Sequence, residues 1–330
     1  MEEKVVAIKN LKVYFELKNG FIKDIFSKEK SIVKAVDGIS LDIKKGEIVS
    51  LVGESGSGKT TTGKAILNLI EKTDGEILFK GQKINSNNKK EIKAFRQKAQ
   101  IIFQDPYQSL NPRNIVMDII AEPLEVNGLV KNSVARKEKV INVLELSGLS
   151  PGEDFLYRFP HELSGGQRQR VAIAGSIILE PDFIVADEPI SMLDASIRIG
   201  VLNTLMELRD KKRISYLFIT HDLSLAWLIS DRIAIMYLGK IMEIGDSDTI
   251  INKSMHPYTK ALISAIPLLE VSRNREKIIL QGEIPSPTKI PEGCRFHPRC
   301  KFAENRCRTK EPELKAVNKD HFVACHLLNI

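Results

Sequence analysis

Apolar and polar residues alternate from Val5 to Phe15 and again from Ala35 to Ile43, the period of strands with one covered face. Glu47-Ile-Val-Ser-Leu-Val52 has the near-continuous apolar content of a strand covered on both faces. A Gly-rich turn follows. Ala65, Ile66, Leu69 and Ile70 then recur at helical spacing and predict a helix from about Thr60. Gly75 to Phe79, a turn at Lys80-Gly81 and Lys83-Ile84 predict a hairpin. Residues from about 107 to 165 read as helical with several prolines, an inserted subdomain. Three more apolar strands are expected at Phe183 to Ala186, Ser215 to Thr220 and Arg232 to Tyr237, with a turn at Leu238-Gly239 leading to Lys240 to Ile244. Strands alternating with helices predict an α/β fold with a parallel core sheet.

The texture changes near residue 250. Pro257, Pro267, Pro285, Pro287, Pro291 and Pro298 rule out one long helix. The expected division is therefore a main domain over 1–250, with its helical subdomain at about 107–170, and a small C-terminal region over 251–330. No internal repeat or low-complexity tract is present. The chain has 330 residues, 43% hydrophobic and 28% charged, an ordinary globular composition. No apolar run reaches the length of a bilayer span. The opening Met1-Glu2-Glu3-Lys4 leads straight into the first strand pattern without a cleavable leader, so a cytoplasmic location is expected. Net charge is +7. The basic residues are scattered as Lys-rich faces rather than gathered into a tract, which favours a solvated surface over a nucleic-acid patch.

Candidate chemistry begins after the third strand. Gly53-Glu54-Ser55-Gly56-Ser57-Gly58-Lys59-Thr60 satisfies G-x-x-x-x-G-K-[ST] between a strand and a helix. Glycines let backbone N–H groups wrap phosphates, and the helix N-terminus adds partial positive charge. Lys59 is expected to reach the β- and γ-phosphates of ATP and the Thr60 hydroxyl to bind Mg²⁺. Thr61 and Thr62 are candidates for further phosphate contacts. Phe183-Ile-Val-Ala-Asp187-Glu188 is an apolar strand ending in two acids, where ligand crevices of such sheets lie. Asp187 is expected to hold Mg²⁺ and Glu188 to orient the attacking water. Leu163-Ser164-Gly165-Gly166-Gln167 opens a helix with Val171, Ala174 and Ile178 on one face, a second anion-binding helix start. One nucleotide does not need two such cradles, so this one is expected to serve a partner's ATP.

Together these residues resemble the ATP-binding-cassette (ABC) ATPases. Gly53 to Thr60 is similar to the family's Walker A motif, Leu163 to Gln167 to its signature, and Asp187-Glu188 to Walker B with the catalytic Glu. Gln104 resembles the Q-loop residue that touches Mg²⁺ and senses the transport domains. Ser191-Met-Leu-Asp194 resembles the D-loop, with Met192 where Ala is commoner. His221 resembles the switch His at the γ-phosphate, and Tyr14 the aromatic that stacks on adenine. The resemblance implies a P-loop NTPase fold: a RecA-like core, an antiparallel β subdomain and an inserted helical signature subdomain, plus a Pro/Cys-rich C-terminal region. It also implies hydrolysis in a two-chain ATP sandwich.

Phe103-Gln-Asp-Pro-Tyr-Gln-Ser-Leu-Asn-Pro-Arg113, Tyr157-Arg-Phe-Pro-His161 and His256-Pro-Tyr-Thr259 resemble the dipeptide/oligopeptide importer ATPases, of which nickel importers are close relatives. Glu283-Ile-Pro-Ser-Pro and Gly293 to Cys300 continue that likeness, which is nearest to the F-type subunit. It implies a paralogous ATPase as heterodimer partner, with a homodimer open in isolation. It also implies two membrane permease subunits docked near Gln104 to Arg113, and a periplasmic or extracellular peptide-binding protein acting indirectly. The expected location is the cytoplasmic face of the membrane, and no nucleic acid is expected. A soluble ABC ATPase acting on nucleic acid or ribosomes is the alternative from another class.

All four cysteines fall between 294 and 325, spaced C-x5-C-x6-C-x17-C: Cys294, Cys300, Cys307 and Cys325. A reducing cytosol disfavours disulfides, which leaves metal ligation or free thiols. The short pairs usual for structural zinc are absent, and irregular spacing is compatible with iron–sulfur ligation. The family resemblance implies a 4Fe-4S cluster, with Zn²⁺ as the alternative. Nearby His297, His321 and His326 are alternative ligands, but are expected rather at the surface or in turns.

Overall fold

β1 (Lys4–Glu16) buries Val5, Val6 and Ile8 and then Leu11 and Val13, and β2 (Ile32–Lys44) buries Val36 and then Ile39, Leu41 and Ile43; the period of two shifts in each strand at a positive-φ residue, Asn10 and Gly38. The computed structural model describes residues 3–17, 32–85, 87–266 and 278–328. The short apolar run becomes β3 (Ile48–Val52), buried throughout. It leads through the glycine loop into α1 (Lys59–Ile66). Next come β4 (Asp74–Phe79), β5 (Gln82–Lys83), α2 (Lys89–Lys98) and β6 (Ala99–Ile102). The proline-interrupted stretch folds as α3 (Pro106–Ser109), α4 (Val116–Val126) and α5 (Ser133–Leu146), and then α6 (Gly165–Ile177) follows. The main chain continues as β7 (Phe183–Asp187), α7 (Ala195–Lys212), β8 (Ser215–Thr220), α8 (Leu223–Ile229), β9 (Arg232–Tyr237) and β10 (Lys240–Asp246). The C-terminal region adds α9 (Ser247–Lys253), α10 (Pro257–Ser264), α11 (Asn305–Thr309), β11 (Lys315–Asn318) and β12 (His321–Val323).

The chain divides into two compact units. The first takes Met1–Val6, Ile43–Glu47 and Phe79–Phe218. In it β6 runs parallel to β7, with Ala99 opposite Phe183 and Ile102 opposite Ala186. Helices α4 and α5 pack on α6, burying Ile120, Leu124, Val140, Leu144, Val171 and Ala174. The second unit takes Ala7–Asp42, Ile48–Leu78 and Ile219–Ile330. There β3 runs parallel to β9, and β9 folds back on β10 through Leu238 and Gly239, both at positive φ.

Two readings change. The helix after the glycine loop stops at Ile66, and Leu69 is 44% exposed instead of sharing a face with Ala65. Asn68 takes a left-handed conformation and donates to the Ala65 carbonyl, while Leu69 N–H reaches the Lys64 carbonyl; these bonds close the helix end. The C-terminal region is also more than a broken chain. β12 pairs antiparallel with β10, matching Glu243 with Val323, and β11 pairs with β12. Cys294, Phe296 and Cys307 share one apolar core with Tyr237, Tyr258 and Ile235. The breaker Pro267 lies outside the described residues, as do Met1 and Glu2. Among the described residues no helix is long and apolar enough to cross a membrane.

Candidate active site

The phosphate-loop candidate occupies the turn from β3 to α1 in the second unit. A Cβ on Gly58, whose φ is 103°, would lie 2.1 Å from the Ala35 carbonyl oxygen. A Cβ on Gly53 would lie 2.1 Å from the Met236 carbonyl. Only glycine lets the loop lie this close to its neighbours. The Lys59 ammonium folds back over the loop, donating to the carbonyls of Gly53 at 2.7 Å and Glu54 at 3.0 Å. Ser55, Gly56 and Thr60 are exposed, Ser57 is buried and Thr61 is partly exposed. Thr62 departs from expectation. It is fully buried and its hydroxyl donates to the Gly58 carbonyl at 2.9 Å, so it serves the helix start rather than a phosphate.

His221 follows β8 and is exposed. Asp222 caps α8, accepting from Ser224 and Leu225 N–H groups at 2.9 and 3.1 Å. A cavity of about 600 Å³ is lined by Gly53, Glu54, His221, Asp222 and Leu262 among others, so the loop mouth and His221 face one space. On β1, the half-buried Tyr14 donates its hydroxyl to Asp37, and the Lys34 ammonium sits 5.6 Å from its ring centroid. Burial and the adjacent Asp37 push the Tyr14 phenol up. Burial opposes ionisation of Asp37, but the Tyr14 hydroxyl and the Arg295 guanidinium outweigh it and hold its carboxyl low.

In the first unit, β7 ends at the buried Asp187. Glu188 follows at φ 46°, an uncommon conformation for a residue with a Cβ. Gln104, just after β6, donates from Nε2 to Glu188 Oε2 at 3.2 Å, and Ser191 Oγ donates to the Glu188 carbonyl at 3.0 Å. Ser164 and Gln167 form a reciprocal cap at the start of α6. Gln167 N–H donates to Ser164 Oγ at 3.3 Å, and Ser164 N–H donates to Gln167 Oε1 at 2.9 Å. Gly165 is partly exposed, while Gly166 packs under Ile197. Asp194 precedes α7 with its side chain exposed and free of a capping bond. This unit therefore brings Gln104 and Glu188 together and presents Ser164 at an open helix start.

Of the cysteines, Cys294 and Cys307 are buried and Cys300 and Cys325 partly so. The Cys294 N–H donates to the Cys307 carbonyl at 2.8 Å. Burial, with smaller contributions from the other three thiols, pushes Cys294 up to about 11. Among the described residues no group of three or more His, Cys, Asp or Glu side chains is set to hold a metal ion. His321 is not a surface residue as expected. It is 2% exposed, and its Nε2 lies 2.7 Å from Oε1 of the fully buried Glu243, a partner that draws it into the core. His297 Nδ1 lies 2.9 Å from the Cys294 carbonyl, and His326 Nε2 lies 2.7 Å from the Lys310 carbonyl. Sequence reasoning missed Asp37, Tyr258, Arg295 and Arg299, which hold Tyr14 and Glu54. No spacing rule links residues so far apart; the only signal was two arginines inside a cysteine-bounded loop.

Residues 36–191 match the ABC transporter family, and residues 242–307 match the oligopeptide/dipeptide transporter C-terminal region. The chain is 44% identical to the oligopeptide transport ATP-binding protein AppF of Bacillus subtilis over 99% of its own length and 98% of that protein's. The chain belongs to the ABC transporter family. It is also 44% identical to the dipeptide transport ATP-binding protein DppF of Haemophilus influenzae, over 96% of this chain and 94% of that one. Among solved structures it is similar to a dimeric ATP-binding cassette in a post-hydrolysis state bound to ADP and Pi. The TM-score is 0.64 at 29% identity, covering 73% of this chain and 98% of that one. The ABC ATPase has the P-loop NTPase fold and is an ATP-hydrolysing enzyme for which ATP and Mg²⁺ are the expected cofactors.

Proposed function

We propose that this ABC ATPase energises uptake of dipeptides or oligopeptides by an importer. It works as one of two ATPase chains beneath two permease subunits at the cytoplasmic face of the membrane, fed by a peptide-binding protein outside. The observation that carries the peptide reading is the oligopeptide/dipeptide transporter C-terminal region at residues 242–307, set in near full-length similarity to peptide-transport ATP-binding proteins. The residue roles read from the sequence belong to this proposal, from Lys59 and Thr60 at the phosphates and Mg²⁺ to Glu188 at the attacking water. So does the division into a main domain over 1–250 and a C-terminal region over 251–330. Closure on ATP and reopening after hydrolysis bias the permeases between conformations because the two nucleotide states favour different arrangements. Uptake of a radiolabelled tripeptide in cells lacking the chain tests the reading. Restoration by the wild-type chain but not by Glu188→Gln supports it; undiminished peptide uptake with lost ⁶³Ni²⁺ uptake would transfer it to nickel.

The cysteine cluster belongs to the same proposal. The four cysteines fall in one C-terminal stretch at C-x5-C-x6-C-x17-C spacing, without the short pairs usual for structural zinc, and irregular spacing of this kind is compatible with a 4Fe-4S cluster. Bound there, the cluster would staple a proline-rich segment with little core of its own. Iron, acid-labile sulfide and zinc analysis of anaerobically purified protein decides it: about four irons and four sulfides per chain are expected, whereas one zinc without sulfide would sink the cluster.

A further inference from the structure

The segment from Cys294 to Cys300 carries two arginines that reach the nucleotide-binding residues of its own unit. Arg299 grips Glu54 with both prongs: Nη1 donates to Oε2 at 2.6 Å and Nη2 to Oε1 at 3.2 Å. The Arg299 side chain is 8% exposed, and the Tyr237 ring centroid lies 5.9 Å from its guanidinium. The backbone N–H of Glu54 donates to the Tyr258 hydroxyl at 3.2 Å. The second position of the phosphate loop is thus held through both side chain and backbone by the C-terminal region.

Arg295 makes the other connection. It is buried and donates to the Leu238 carbonyl and to Asp37, the carboxylate that also accepts the Tyr14 hydroxyl. The adjoining Gly239 donates from its N–H to the Ser57 carbonyl at 2.8 Å and accepts from Asp37 N–H at 2.9 Å. A hydrogen-bonded chain therefore runs from Tyr14 through Asp37 and Arg295 to the β9–β10 turn, and from there into the phosphate loop.

We propose that Arg295 and Arg299 are positioning residues for ATP, and that the cysteine-bearing loop is a clamp on the nucleotide site. This rests on reading Gly53 to Thr60 as the phosphate loop and Tyr14 as the adenine platform. Arg299 has a second task. Glu54 places a carboxylate in a loop that must hold a polyanion, and at short range in a partly buried site that repulsion is substantial. The two-pronged pair neutralises the charge and fixes where the carboxylate points. Arg295 adjoins Cys294 and Arg299 adjoins Cys300, so the two arginines and two of the cysteines share one short segment.

The test is equilibrium binding of a fluorescent ATP analogue with Mg²⁺ to the full-length protein. The variants are Arg299→Ala, Glu54→Gln, the double variant and Lys59→Ala, each checked by thermal melting. Arg299→Ala should weaken binding roughly tenfold, less at high salt, and adding Glu54→Gln should recover most of the loss. That sign of recovery separates charge neutralisation from mere structural support, which a second substitution does not repair. If Arg299→Ala is insoluble, Arg299→Gln removes the charge with less loss of packing and answers the same question. Wild-type affinity in the folded single variant, or no recovery in the double variant, overturns the proposal. The phosphate-loop reading fails separately, if Lys59→Ala binds as well as wild type.

Discussion

The side-chain amide of Gln104 donates to Oε2 of Glu188 across 3.2 Å, linking the end of β6 to the residue that follows β7. The bond comes from the parallel pairing of these two strands, which sets their C-terminal ends side by side. Glu188→Gln keeps a side chain of the same size but removes the proton acceptor. Phosphate release should fall by about 10²-fold or more while ATP binding persists. A phosphate-release assay beside nucleotide binding checks this; near-normal turnover would remove Glu188 from its assigned role.

Gly58 and Gly56 both have positive φ, but their surroundings differ. A Cβ at Gly58 meets the Ala35 carbonyl oxygen at 2.1 Å, whereas one at Gly56 meets nothing within 4 Å. Gly58→Ala should destabilise the protein by about 2 kcal/mol or more and abolish ATP binding. Gly56→Ala should cost about 1 kcal/mol of backbone strain. Urea titration of the two variants side by side gives the order; equal losses would show that the packing at Ala35 is not what matters.

The Ser164–Gln167 cap holds the first turn of α6 at the point where a partner's ATP is expected. Ser164→Ala should cost the helix about 1 kcal/mol. Hydrogen exchange should speed up at the Gln167 amide, which loses its acceptor, and ATP-dependent dimerisation should weaken. Unchanged exchange at that amide would mean the cap contributes nothing.

His256 is buried at the start of α10, where its Nδ1 accepts from the Tyr258 N–H at 3.0 Å. Burial depresses its pKa from 6.5 to about 3. The folded state thus disfavours the imidazolium that the unfolded chain forms freely below about pH 6.5. The stability this group contributes is complete above about pH 6.5 and is lost as pH falls toward about 3, on the order of 1 kcal/mol per pH unit. His256→Asn keeps a helix-capping side chain without a titrating group, so its urea midpoint should vary less across that window. Parallel pH profiles would refute the assignment.

The sequence legibly carried the local elements. The glycine loop, the acids after Ala186, the helix start at Ser164–Gln167 and the strands around them were visible, because each depends on residues within one or two turns of each other. The C-terminal region was read less well. Its strands are only four and three residues long, too short to show a period; β12 forms by pairing with β10, and β11 by pairing with β12. His321 looked like a turn residue because nothing near it in the chain announces Glu243.

The amino-acid order by itself determined the local parts of the candidate site, since glycine loops, helix starts and strand-end acids are built from consecutive residues whose spacing is their geometry. What the tertiary structure alone decided is which distant side chains hold those parts in place. Arg299 meets Glu54 and Arg295 meets Asp37 because the C-terminal region packs its aromatic and cysteine side chains into the core beside β9 and β10. Contacts between residues more than 240 positions apart are set by that packing, and no local pattern encodes them.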